Sequence, residues 1–98
     1  MIRAKGYKSG NAWAVRIWND GEAVAKNIRF ISDDVEKENS GINLYIDKRK
    51  IPYPLLNKGD SFEITATLIS GRNPAPIIKF IWDDDFKKNN EREQVLEF

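Results

Sequence analysis

Apolar and polar positions alternate along most of this chain with the two-residue period of strands, and short turn-forming clusters separate the alternating runs. Ile2, Ala4 and Gly6 alternate with Arg3, Lys5 and Tyr7, a short strand suited to a sheet edge. Beyond the turn cluster Ser9-Gly10-Asn11, Trp13, Val15 and Ile17 share one face of residues 12–18, with Arg16 and Trp18 on the other. Asn19-Asp20-Gly21 ends that strand, and Asp-Gly is a dipeptide that supplies the positive φ of a tight turn. Residues 24–31 resume the pattern, with Ile28 and Phe30 on one face and Ala25, Asn27, Arg29 and Ile31 on the other.

Residues 32–40 are charged and turn-rich, a surface loop with room for at most one helical turn. Ile42, Leu44 and Ile46 then align on a further strand. Pro52 and Pro54 make residues 51–56 extended but confine them to an edge, because proline cannot donate to a ladder. Phe62, Ile64, Ala66 and Leu68 alternate with polar residues in the half-buried antiparallel manner. Residues 70–76 form a Gly/Pro loop, and the nearly continuous apolar run 77–82 predicts a central strand with Ile78, Phe80 and Trp82 on one face. A polar hairpin loop over 83–91 leads to a closing strand over 92–98, with either Val95 or Leu96 and Phe98 inward. About seven strands at this spacing predict one all-β domain over residues 1–98, an immunoglobulin-like antiparallel β-sandwich.

Composition narrows the chemistry. Among 98 residues there is no His and no Cys, which removes disulfides, thiolate metal sites, Cys nucleophiles and the commonest general base. Ser9, Ser32, Ser40, Ser61 and Ser70 have no His to activate them, none lies in a G-x-S-x-G elbow, and neither a P-loop nor a G-x-G-x-x-G run is present. The chain reads as a non-enzyme without a cofactor. Sixteen Lys and Arg against fifteen Asp and Glu give a net charge of +1, so no strong field exists to recruit nucleic acid. No apolar run approaches a membrane span, and the charged N-terminus is unlike a signal peptide. The strand-like start suits a domain cut from something longer better than a complete, unexported protein.

Residues 15–28, Val-Arg-Ile-Trp-Asn-Asp-Gly-Glu-Ala-Val-Ala-Lys-Asn-Ile, carry an alternating hydrophobic run, Asn19, Gly21, Ala25, Asn27 and Ile28 in a recognisable order. Residues 54–62, Pro-Leu-Leu-Asn-Lys-Gly-Asp-Ser-Phe, add a leucine, glycine, acidic, serine step that opens a later strand. Together they resemble immunoglobulin-like sandwich domains related to the bacterial cell-adhesion-related (CARDB-like) family, over about residues 13–82. The resemblance implies an accessory module tethered to another domain or a membrane segment, with possible cell-envelope association. On physical grounds, Asn19 can cap a turn, Gly21 can take the left-handed conformation, and small Ala23 and Ala25 let the chain cross between sheets.

Three groups of side chains are candidate sites. Asp83, Asp85, Asn89 and Glu91 alternate faintly like a calcium loop, although Lys87, Lys88 and Gln94 occupy positions where an EF-hand needs a ligand, Gly and Glu. The bland alternative is a solvated hairpin. Trp13, Trp18 and Trp82 with Tyr7, Tyr45 and Tyr53 could form a platform for sugars or single strands, but alternation assigns Trp13 and Trp82 to the core and leaves Trp18, beside Arg16, as the ligand-facing aromatic. Lys48-Arg49-Lys50 with Arg72 could bind polyanions but reads as an ordinary turn and loop. Lys26 and Arg29 read as outward-facing strand residues. The expectation is a structural or protein-interaction module whose partner adds to a strand edge, at the first strand or near Phe98. The alternatives are a carbohydrate-binding module using Trp18 and a calcium-stabilised sandwich using Asp83 and Asp85.

Overall fold

The alternating runs pair into two antiparallel sheets of four strands in a computed structural model that describes residues 1–37, 40–69 and 74–98. The described elements are β1 (Ile2–Ser9), β2 (Ala12–Asn19), β3 (Ala25–Ile31), α1 (Asp33–Glu36), β4 (Ile42–Tyr45), β5 (Tyr53–Leu56), β6 (Ser61–Leu68), β7 (Ile77–Asp83) and β8 (Asn90–Val95). One sheet has the order β1-β2-β6-β4 and the other β5-β3-β7-β8. The chain is an all-β sandwich with eight described strands rather than about seven, because the proline-bearing segment also pairs, at the edge. β7, the most continuously apolar run, lies between β3 and β8 as a central strand.

The inward faces follow the alternation. Ile2 and Ala4 of β1, Val15 and Ile17 of β2, Ile64 and Ala66 of β6, and Ile78, Phe80 and Trp82 of β7 form one buried cluster. Trp13 packs on its rim, and Tyr53 stacks on Phe62 at 4.1 Å between ring centres. Of the two inward choices for the last strand, Leu96 is fully buried while Val95 is exposed. Ile46, expected to align with Ile42 and Leu44, lies past the end of β4 and is 47% exposed.

Strict alternation fails at β3. It places Ala25 and Ile28 on opposite faces, yet both are buried in the core. Lys26 lies opposite Asp83 and Arg29 opposite Ile81, so β3 spends one residue more than β7 over that stretch. Asn27, with φ 56°, takes up the extra residue as a bulge and restores the inward face beyond it. Asparagine is among the few residues that adopt this conformation readily.

The Asn19 turn also differs from expectation. Gly21 does not have a positive φ; the left-handed glycine in this region is Gly59, at φ 82°, whose N–H donates to the Asn19 carbonyl at 2.8 Å. Gly21 is required for space, since a Cβ there would collide with the Met1 nitrogen. Asn19 itself is fully buried and fully used. Its Nδ2 donates to the carbonyls of Ala23 (2.8 Å) and Leu56 (3.0 Å), and its Oδ1 accepts from the Gly21 N–H (3.0 Å) and the Met1 amino group (3.1 Å).

Between β3 and β4, Ser32 accepts from the Val35 N–H and thereby caps α1, the single helical turn this stretch allows. The Ser32 hydroxyl also donates to the Ile77 carbonyl at 2.7 Å, and the Asp34 carboxylate accepts the Ile77 N–H at 2.9 Å. These bonds pin the crossover between the sheets to the start of β7.

Candidate functional site

The two flanks of a sandwich offer unpaired strand edges, and this chain treats its flanks differently. β1 and β8 meet on one flank and close it. Gln94 Oε1 accepts from the Ala4 N–H at 3.0 Å and its Nε2 donates to the Ala4 carbonyl at 2.7 Å, so one side-chain amide imitates a strand neighbour. Two residues along, the Gly6 N–H donates to the Glu97 carbonyl at 2.8 Å. The Phe98 ring lies against Gly6, where a Cβ would overlap it, and meets Trp13 edge-on at 5.8 Å. The first strand and the chain near Phe98, expected to offer partner edges, are occupied by each other.

β4 and β5 border the other flank. Pro54 interrupts β5 as a donor, in keeping with its edge position. β4, with the sequence Ile-Asn-Leu-Tyr, contains no proline and no charge. The Gly41 carbonyl accepts from Ile69 N–H at 3.0 Å in register with β6. Antiparallel alternation therefore directs the backbone of Asn43 and Tyr45 to β6 and that of Ile42 and Leu44 outward. Ser40 Oγ meets both outward groups of Ile42, accepting from its N–H at 3.3 Å and donating to its carbonyl at 2.8 Å. The Leu44 groups stay on the rim of an open groove of about 280 Å³, lined by Phe30, Ile31, Val35, Leu44 and Ile46 among others. Ile31 and Ile46 are both about half exposed.

The outer face of the β1-β2-β6-β4 sheet carries Tyr7, Trp18 and Tyr45. Register places Arg3, Trp18 and Ser61 in one cross-strand row, Lys5, Arg16 and Glu63 in the next, and Tyr7, Ala14, Thr65 and Tyr45 in a third. A shallow groove of about 700 Å³ is lined by Lys5, Tyr7, Arg16, Trp18, Ser61 and Glu63. The Arg16 guanidinium lies 6.0 Å from the Trp18 ring centre, within cation–π range. The Tyr7 hydroxyl donates to Glu63, and that bond to a carboxylate raises the Tyr7 pKa above its ordinary value. Trp18 thus lies on the outer face beside Arg16, as expected, but is half-buried rather than free-standing.

The acidic loop after β7 uses its carboxylates internally. Asp83 Oδ1 accepts from the Asn89 N–H at 2.8 Å, Asp84 Oδ1 accepts from the N–H groups of Phe86 and Lys87 at 2.8 Å, and Asp85 pairs with Lys26 at 2.7 Å. Asp83 and Asp85 therefore address different partners. Among the described residues no group of three or more His, Cys, Asp or Glu is placed to hold a metal ion. Lys26 and Arg29 are more than outward strand residues: Arg29 donates to the Asn27 carbonyl at 2.7 Å and to Asn89 Oδ1 at 2.5 Å, tying the β3 bulge to the loop.

The Asn89 N–H, then Asn27 and the nearby Arg29 and Lys88 charges, hold the Asp83 carboxyl below its ordinary pKa against a smaller opposing effect of burial. A depressed folded-state pKa contributes stability above the unfolded value, which is lost as pH falls through the folded one. The wild type is therefore expected to lose stability below about pH 4, and Asp83→Asn to show a shallower acid limb in urea titrations at successive pH values.

In the basic turn, Asp47 accepts from the Arg49 backbone N–H at 2.9 Å and from its guanidinium at 3.2 and 3.3 Å. Arg49 is thereby engaged locally, and Arg72 lies outside the described residues. Sequence pattern missed Gln94 and Ser40 as edge-closing residues. A Ser two positions before a strand is at least a local turn signal, whereas nothing near Gln94 announces a partner ninety residues away.

Among the described residues no helix is long and apolar enough to cross a membrane. No protein-family model, curated protein or solved structure matches the chain.

Proposed function

We propose that this chain is a non-catalytic protein-interaction module of the immunoglobulin-like class, an accessory domain akin to the bacterial cell-adhesion-related sandwiches. The strand order supports the class: setting β5 aside, β1-β2-β6-β4 facing β3-β7-β8 follows the constant-type order of four strands facing three. The observation that carries the interaction reading is the contrast between flanks. Gln94 and the segment after β8 cover the β1 edge, while among the described residues β4 is proline-free and uncharged and only its Ile42 groups are met by a side chain, that of Ser40, beside a groove lined by Phe30, Ile31, Val35, Leu44, Ile46 and Glu36 among others. An edge of that kind accepts a further strand through its backbone and reads it through alternate side chains. A photo-crosslinking residue at Asn43 of β4 is expected to form polypeptide adducts in cells, and one at Lys8 of β1 to form none. No adduct at Asn43, or equal adducts at both, sinks the reading.

A second reading rests on the groove around Trp18. An indole face flanked by Lys5, Arg16, Ser61 and Glu63 offers the mix of stacking surface and hydrogen-bonding groups that saccharides use. A glycan array followed by Trp fluorescence is the check: a hit must be lost in Trp18→Ala, and no response to any glycan retires it.

A further inference from the structure

We infer that the groove at Trp18 takes an acidic glycan, a chain containing hexuronic acid, with a sugar ring on the indole and a carboxylate on Arg16 and Lys5. The inference rests on the saccharide reading of this face and names the ligand class of that same site. The first ground is what the face is made of. By register and alternation, the outward positions of β1, β2, β6 and β4 hold aromatic, hydroxyl, amide, charged and alanine side chains, and no larger aliphatic one. Elsewhere Ile31, Leu55, Ile77 and Val95, all on strands of the other sheet, are about half exposed. Interfaces between proteins bury an apolar centre, whereas this face offers one indole among polar groups.

The second ground is a repulsion built into the face. Lys5 lies directly opposite Arg16 in the β1–β2 register, and like charges so placed oppose pairing. Among the described residues neither lies within 4.0 Å of a carboxylate. Glu63, opposite Arg16 on β6, accepts the Tyr7 hydroxyl instead. A ligand carboxylate between Lys5 and Arg16 turns that repulsion into charge-assisted hydrogen bonds. The Arg16 guanidinium is 6.0 Å from the Trp18 ring centre, so stacking surface and cation address the same part of a ligand.

The third ground is extent. Lys5 and Trp18 also line a second shallow groove, of about 460 Å³, which continues over Arg3 and Arg92 toward β8. The two grooves share these residues and form one surface, long enough for a chain of sugars. Four cations line it against two carboxylates, Glu63 and Glu97, in a protein whose charges otherwise nearly balance. A single-stranded nucleic acid needs a track of cations for its phosphates, and here Arg3 is already held by Asp20.

Calorimetric titration of the whole chain at low salt is the test, with oligogalacturonate, hyaluronan oligosaccharide, a neutral glucan oligosaccharide and oligothymidylate as probes. At least one of the two acidic glycans is expected to bind, and its methyl ester at least about tenfold more weakly. Lys5→Gln should weaken the acidic form about tenfold, leave the ester unchanged, and melt no lower than the wild type because it removes a like-charge pair. Trp18→Ala should abolish binding of both forms, with circular dichroism checking its fold. Binding of neither acidic glycan, an ester that binds as tightly as the acid, or a Lys5→Gln protein of unchanged affinity overturns the inference. Oligothymidylate binding more tightly than either glycan also overturns it and assigns the face to nucleic acid. A neutral glycan that binds without preference for the acidic forms, and is lost in Trp18→Ala, removes the acidic specificity alone and leaves the saccharide reading standing.

Discussion

Phe80→Ala is expected to unfold about 3–5 kcal/mol more easily than the wild type, the range for truncating a buried aromatic where the surroundings collapse only partly. Phe80 is 1% exposed on a central strand, and its ring packs at 5.9 Å from that of Phe30. Domains of this size have total stabilities of about 5–15 kcal/mol, so the loss is a large share of what holds the fold. In urea, the midpoint should fall with the slope unchanged, because the surface exposed on unfolding barely alters. A melting temperature lower by about 12 °C or more should accompany it. Phe80→Leu, which retains most of the buried volume, should recover the larger part of both. A Phe80→Ala protein within about 1 kcal/mol of wild type would mean that the core around β7 can close over the cavity.

Asn19→Ala should cost about 2–4 kcal/mol, although it removes only a small polar side chain. The magnitude comes from what is left behind. The carbonyls of Ala23 and Leu56 lose their donor, and the Gly21 N–H loses its acceptor, around a position with no exposure to water. Asn19→Asp separates this mechanism from simple packing. It keeps the shape and the acceptor for Gly21, but turns a carboxylate oxygen toward two carbonyl oxygens. At neutral pH Asn19→Asp is expected to be destabilised at least as much as Asn19→Ala. If Asp is tolerated at neutral pH while Ala is not, shape rather than hydrogen bonding accounts for the residue.

These two positions differ in how far the sequence announces them. Phe80 lies in a nearly continuous apolar run, and burial on a central strand follows from that run alone. Asn19 is legible as a turn residue through its neighbours Asp20 and Gly21. Its bond to Leu56 is not legible, because that residue arrives from a strand in the other sheet. The candidate surfaces divide in the same way. Trp18 beside Arg16 on the outer face follows from alternation, and the edge position of the proline-bearing segment follows from proline chemistry. The closure of β1 by Gln94 and Glu97 does not, since it depends on what lies across the flank.

By itself the sequence determined that the chain is β throughout and which face of most strands turns inward. Those properties are local: side chains alternate with a period of two, and turn residues stop a strand wherever they occur. Tertiary structure decided three further things. The bulge at Asn27 reversed the parity of β3, because one extra residue opposite β7 flips every side chain beyond it. The acidic residues Asp83 and Asp85 became parts of a loop network once Asn89, Asn27 and Lys26 were brought beside them. Last, pairing across the sheets chose which edge is covered: Gln94 and Glu97 protect β1, whereas among the described residues only Ser40 meets the β4 edge, at Ile42. Backbone hydrogen-bonding capacity is the same at every edge, so only the placement of distant groups distinguishes a closed edge from an open one.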